Sequence, residues 1–512
     1  MSVTVAGIEP ARRGELALAD ERVRYSWAEL DPILNRAIHA MQGLSAGAAQ
    51  RVAVFAPNSS ETVIAYVAAL EAGLSSVPVS FHLTPDEVAY ILQSSGAGAL
   101  FVAEETAEAG MAAAATAGIK TIVGWRCSPR AGLTAWEEWV GAAPDSAPPT
   151  DVRPRPHLHY TSGTTGRPKA TETPPGYFPP AADMAEFGAI MRTRATPSPG
   201  LVVGPLYHTG PLTMVRSLMG GSALVVMSAF EPEAALATIE REKIAGSVMV
   251  PTHFQRLLAL PAQVREKYDV SSMRRLAHTG AACPREVKRA MIDWFGPVLF
   301  EAYGGTEAGT THAIASEEWL RKPGSVGKAV PPLETVVVGE DGEPLAPNQV
   351  GQLYVRDPSG RGIVYHGDPE KTAAAHIAPG VFTLGEMGFV DEDGYVFITD
   401  RVSDMIVSGG VNIYPAEAEQ VLLTHPQVAD VAVIGAPNAE MGEEAKALIV
   451  AADPADPPDQ DTLNRHCRAS LAGYKCPRSY EFVEDLGRNP MGKINKRELR
   501  RRYWPTERTI GG

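Results

Sequence analysis

The sequence predicts an α/β protein: a large N-terminal domain of helix-flanked sheets with a β-barrel-like subdomain, then a small α+β C-terminal domain. Three observations predict it. Short apolar runs alternate with longer amphipathic stretches over residues 1–120 and again over 200–300, the rhythm of parallel strands joined by covering helices. The pattern changes to brief strands and Asp/Gly turns over 325–399. A separate helix-and-strand pattern fills the rest of the chain.

The elements follow in order. Residues 27–44 carry apolar side chains at helical spacing, and 52–55 read as a strand that stops at Pro57-Asn58. Residues 61–71 are helical up to Gly73, 76–79 are strand-like, 86–93 helical and 99–102 strand-like. In the second block the apolar runs are 201–203, 223–227, 247–250 and 298–300. Between the blocks, the proline-rich stretch 174–180 is poor in regular structure. Turns such as Asp391-Glu-Asp-Gly394 punctuate the antiparallel or barrel-like region. Past Asp400-Arg401, strands are expected near 428–434, 447–451 and 480–483, dividing the chain into 1–400 and 401–512.

Composition excludes several classes. A length of 512 residues exceeds one compact domain, and 45% hydrophobic content excludes wholesale disorder. A net charge of -14 without basic runs argues against nucleic-acid binding. The four cysteines form no C-x-x-C pair, which argues against a disulfide framework or a zinc site. No signal peptide or membrane span is legible, so a cytoplasmic protein is expected.

The strongest local signal is Tyr160-Thr-Ser-Gly-Thr-Thr-Gly-Arg-Pro-Lys169. Successive Ser, Thr and Gly residues let backbone N–H groups converge on an anion, hydroxyls add donors and Lys169 adds charge. Such a loop suits a polyphosphate. It is not the Walker A pattern, because Gly163 and Gly166 are too close and no Ser or Thr follows Lys169.

This run resembles the phosphate loop of the adenylate-forming superfamily: acyl- and aryl-CoA synthetases, peptide-synthetase adenylation domains and luciferases. Four further segments resemble the same family in the same order. They are Pro205-Leu-Tyr-His-Thr-Gly210, Tyr303-Gly-Gly-Thr-Glu307, the stretch from Asp400-Arg-Val-Ser-Asp404 through Ser408-Gly-Gly-Val-Asn-Ile-Tyr-Pro415, and Asn489-Pro-Met-Gly-Lys-Ile-Asn-Lys496. The last part of the third segment is closer to CoA ligases than to luciferases.

The resemblance implies that a carboxylate attacks the α-phosphate of ATP and that a thiol, usually of CoA, then displaces AMP. Bringing two anions together requires positive charge at the reacting centre. It implies Lys493 bridging carboxylate and α-phosphate, Thr306 bonding that phosphate, and Glu307 holding Mg²⁺, a hard cation suited to oxygen ligands. The nucleotide or adenylate would meet Thr161, Ser162, Gly163, Thr164, Thr165, Gly166, Lys169, the loop Gly280, Ala281 and Ala282, Tyr303 stacked on adenine, Gly304, and Glu386 with Arg401 at the ribose. His208 would gate an acyl pocket bordered by Gly210, Thr279, Gly280 and Gly305. Ser408, Gly409 and Gly410 would line the CoA tunnel. Ser403 would mark the hinge about which a mobile C-terminal unit turns.

The sequence departs from the family at Ala170, where Gly is usual, and at Glu172 and the residues after it, where a His is usual. Glu386 replaces the ribose-binding Asp, and Ser403 replaces a charged hinge residue. The first two concern phosphates that exist only before adenylation. The expectation is an acyl-CoA ligase for a bulky hydrophobic acid, with adenylation weakened or lost and thioesterification of an acyl-adenylate retained. A separate adenylating enzyme would then supply the adenylate. Small residues around the pocket suggest the bulk, and no Lys or Arg there stands out for a second carboxylate. The alternatives are an enzyme that loads a separate carrier protein and a non-catalytic adenylate-binding protein.

Overall fold

The computed structural model describes the chain apart from residues 46–49, 162–167, 175–176, 195–196, 340, 402–403, 409–410, 439–440, 490–491 and 505–512, and apart from the side chains of 45, 400, 401 and 412. The architecture is mixed α/β. One sheet has nine strands, with Leu299–Gly305, Arg275–His278, Gly246–Met249, Gly200–Val202, Leu224–Val226 and Leu16–Ala19 side by side and parallel. A five-stranded sheet, ordered Ser75–Pro78, Arg51–Phe55, Ala99–Ala103, Thr121–Trp125, Thr134–Ala135, is wholly parallel.

The helix Ser60–Glu71 buries every residue but Glu61. A helix apolar on all sides has to lie inside, and this one shares a core cluster with strands of both sheets. Its last residue, Glu71, is buried, and its carboxylate accepts from Val3 N at 2.7 Å, Thr4 N at 3.0 Å and Thr4 Oγ1 at 2.6 Å. The other face of the nine-stranded sheet is covered by Pro232–Glu242, Pro251–Leu258 and Arg285–Phe295, which supply a second cluster. Residues 334–401 form a six-stranded antiparallel sheet, in which Gly351–Arg356 pairs with three neighbours. A further sheet runs from Ile406–Ser408 to Ser479–Phe482 and is antiparallel except at its last pairing.

The expected helices and strands of the first block are present within a few residues. Leu16–Ala19 and Arg24–Ser26, which extend the nine-stranded sheet, were not legible. They are only 4 and 3 residues long, too short to show a period. No helix among the described residues is long and apolar enough to cross a membrane.

Candidate active site

In a parallel sheet, ligand-binding loops gather beyond the carboxyl ends of the strands. The segments singled out above do so here. His208 follows strand Gly200–Val202, Thr279 follows Arg275–His278, and Gly304 and Gly305 close Leu299–Gly305; Thr252, which the sequence did not single out, follows Gly246–Met249 on the same edge. Their alternation of apolar run and loop is what places them on one edge.

Thr209 Oγ1 donates to Thr306 Oγ1 at 3.3 Å, joining the His208 segment to the Tyr303–Glu307 segment. A Cβ on Gly210 would lie 3.4 Å from Thr279 Cγ2. Gly280 has φ +90°, a conformation that favours glycine. Ala281 is half-buried and Ala282 exposed. A Cβ on Gly304 would overlap the Gly309 carbonyl oxygen, so only glycine fits there, while one on Gly305 would sit 3.1 Å from Glu307 Oε2. Tyr303 stands opposite His312 in the ladder, with ring centroids 5.5 Å apart.

His208 caps the helix Thr209–Val215. Its ring lies 4.4 Å from that of Tyr207, which meets Phe81 edge-on at 5.4 Å. Burial, and after it the Lys493 charge, pushes the imidazole down to about 3, so His208 is neutral near pH 7. The Lys493 loop is tightly built: Asn489 N donates to Lys493 O at 2.9 Å, Lys493 N to Asn489 Oδ1 at 3.0 Å, and Arg488 Nη1 to Gly492 O at 2.5 Å. Arg488 is anchored on Asp430 at 2.6 Å. Gly492 lies so close to Thr252 that a Cβ would strike its hydroxyl. The C-terminal loop therefore docks at the strand edge, and Lys493 itself remains exposed.

Strands His159–Thr161 and Lys169–Thr171 pair with Thr161 opposite Lys169, holding the two ends of the intervening loop together. Ser162, Gly163, Thr164, Thr165 and Gly166 lie outside the described residues, as do Ser403, Gly409 and Gly410. Lys169 Nζ pairs with Asp368 at 2.6 Å. Lys371 Nζ lies 3.8 Å from the Tyr365 ring centroid, and Tyr365 donates its hydroxyl to Glu307 Oε1 at 3.3 Å. Burial and the Lys169 charge hold Lys371 below the ordinary lysine range. Two lysines and Glu307 thus share one neighbourhood. Sequence reasoning missed Tyr365, Asp368 and Lys371, which belong to no local motif and arrive from the connection and helix Pro369–Ala374 between strands of the antiparallel sheet.

Ala170 is buried in an apolar cluster with Leu100 and Leu158, so its methyl faces the core. Glu172 reaches Arg361 at 3.2 Å and His366 at 3.6 Å. Glu386 is buried and stands opposite Arg401 in an antiparallel ladder, while Ser408 is buried at the end of its strand. Among the described residues no three His, Cys, Asp or Glu side chains gather as a metal cage. A single carboxylate such as Glu307 suits Mg²⁺, which keeps waters and is shared with substrate phosphates.

A family model described as "AMP-binding enzyme" matches residues 9–363, and one described as "AMP-binding enzyme C-terminal domain" matches 417–493. The chain belongs to the AMP-binding enzyme family. This AMP-binding enzyme is 34% identical to a feruloyl-CoA synthase of Amycolatopsis sp, over 97% of this chain and 99% of the relative. It is 33% identical to the fatty acid–[acyl-carrier-protein] ligase ScoC of Streptomyces coeruleorubidus, over 92% of this chain and 90% of the relative. The structure of ATP-bound MatB from Rhodopseudomonas palustris superposes with a TM-score of 0.80 at 27% identity, covering 98% of this chain and 99% of that one. The expected adenylate-forming architecture is therefore correct, and the chain is an acid–thiol ligase of the acyl-CoA synthetase type.

Proposed function

We propose that this AMP-binding enzyme converts a bulky carboxylic acid, ATP and CoA into acyl-CoA, AMP and pyrophosphate through an acyl-adenylate. The observation that carries the reading is the convergence of the Lys493 loop, docked on Thr252, with the hydrogen-bonded His208–Thr209 and Thr306 segments at one strand edge, because adenylation needs a cation where two anions approach. Lys493 bridges the acid carboxylate and the α-phosphate, and Thr306 donates to that phosphate. Neutral His208 walls the acyl pocket without adding charge. Glu307 would hold Mg²⁺, which would offset charge on the phosphates. Lys169 and the loop from Thr161 hold the β- and γ-phosphates. Tyr303, with Gly280, Ala281, Ala282 and Gly304, encloses the base, and Glu386 with Arg401 holds the ribose. Units 1–400 and 401–512 then turn about Ser403, withdrawing Lys493 and admitting the CoA arm along Ser408, Gly409 and Gly410.

Adenylation is the weaker half-reaction in this proposal. Two features support that. Glu386 is one methylene longer than the usual Asp at a buried position, and Asp368 competes with polyphosphate for Lys169. Ala170 does not contribute, since its methyl points into the core. A separate enzyme supplying adenylate belongs to the extreme form of this reading. The likeness to ScoC supports a second reading, in which the thiol belongs to a carrier protein.

Pyrophosphate release with ATP and a panel of aryl and alkyl acids measures the first step, and conversion of synthetic acyl-adenylates by CoA or by carrier phosphopantetheine measures the second. Thioester formation several-fold faster from adenylate than from ATP is expected. Equal rates would sink the weakened first step, and thioester formed only on the carrier would replace the CoA reading.

A further inference from the structure

Next to the Gly210 segment lies an open pocket of about 280 Å³ lined by Tyr177, Met191, Arg194, Thr213, Arg216 and Thr310, among others. It adjoins the site through both of its inner walls. Thr213 lies one turn beyond Gly210 and donates to its carbonyl at 2.6 Å. Thr310 pairs with Gly304 in the ladder and shares a 3.0 Å hydrogen bond with the Tyr177 hydroxyl. Met191 gives the chamber an apolar wall.

Arg216 is 9% exposed. Its Nη2 donates to the Tyr177 carbonyl at 2.7 Å, and its guanidinium sits 5.7 Å from the Phe178 ring centroid. No carboxylate among the described residues pairs with it, and the nearby charge is another cation, Arg194. Burial draws the guanidinium down to about 10, well below the arginine range. A buried cation without an acid is costly to fold around, and buried charges are ordinarily paired. A planar fork of donors facing a cavity is a carboxylate receptor.

We propose that this cavity receives the far end of the acyl substrate and that Arg216 selects acids carrying a second carboxylate there. This rests on the ligase reading above and narrows its substrate class to a bulky acid with an anionic tail. Arg194 at the rim draws the same group in. Sequence reasoning passed over Arg216 because it stands in an apolar stretch, Pro211-Leu-Thr-Met-Val-Arg-Ser-Leu, and only folding shows that its side chain has no acid to meet.

The test uses three acids with one skeleton: para-carboxycinnamic, para-acetylcinnamic and para-methylcinnamic acid. AMP release with ATP and CoA is measured for the wild type, Arg216→Lys and Arg216→Met. The wild type is expected to favour the carboxy acid over the methyl acid by at least about tenfold in kcat/KM. Arg216→Met is expected to reverse that order, and Arg216→Lys to keep it in part. An unchanged carboxy-to-methyl ratio in Arg216→Met, or a wild type that prefers the methyl acid, overturns the proposal. Preference for the acetyl acid over the carboxy acid overturns it too, in favour of a neutral acceptor. If no acid releases AMP, the adenylation half of the ligase reading fails on its own. The subsite is then decided by the thermal shift of the wild type with each free acid: a larger shift with the carboxy acid supports it, equal shifts overturn it. Should Arg216→Met not fold, the Arg216→Lys ratio decides in the same way.

Discussion

At the scale of single residues, charge placement carries the chemistry. Lys493 is exposed and its loop is held by Arg488 and Asn489, so Lys493→Ala removes charge without removing fold. Pyrophosphate release is expected to fall by about 10²-fold or more, with CoA conversion of a preformed adenylate much less affected and Tm unchanged. An equal loss in both steps would contradict the assignment. Glu386→Asp is expected to raise kcat/KM for ATP several-fold if the extra methylene spoils the ribose fit, and an unchanged or lower value removes that argument. Gly304→Ala has a different consequence. The new methyl would overlap the Gly309 carbonyl, and overpacking of this kind costs about 1–3 kcal/mol, visible as a lowered Tm. The role of Gly304 was legible as a motif letter, but the close backbone approach that requires it was not.

At the scale of elements, one buried carboxylate ties the chain's start to its core. Glu71 ends the central helix and accepts three hydrogen bonds from Val3 and Thr4. Removing one partner of a buried hydrogen-bonded set costs about 1–3 kcal/mol. Glu71→Ala is therefore expected to lower Tm and to open residues 1–8 to hydrogen exchange before the rest of the chain; protection of that segment equal to wild type would refute it. The periodicity of helix 61–71 showed that a helix was there. That its end would hold the first residues of the chain depended on a partner 67 residues away, which no local window contains. The cluster of Lys169, Asp368, Lys371 and Glu307 was hidden for the same reason: its members come from two strand pairs and a helix far apart in sequence.

At the scale of the whole molecule, buried histidines set a pH limit. Burial lowers His159, His253 and His312 to about 4 and His208 to about 3, against about 6.5 in an unfolded chain. The unfolded state therefore binds more protons between those values, and stability must decline as pH falls through about 6.5 toward 4. Above pH 7 the contribution is complete. Tm is expected to be flat from pH 8 to 7 and to drop progressively below 6.5, with the slope reduced in His253→Gln; a flat Tm down to pH 5 would refute it.

By itself the sequence determined the alternating α/β rhythm, the family and the order of its motifs, because strand and helix periods and short motifs are local properties of consecutive residues. Where the departing residues point and what they pair with was decided only by tertiary structure. Ala170 turned inward to the core, and Lys169 acquired Asp368. Arg216, an unremarkable letter in an apolar run, became a buried cation facing a cavity. Burial and pairing depend on what the rest of the chain brings alongside, and that is settled when the sheets and helices pack.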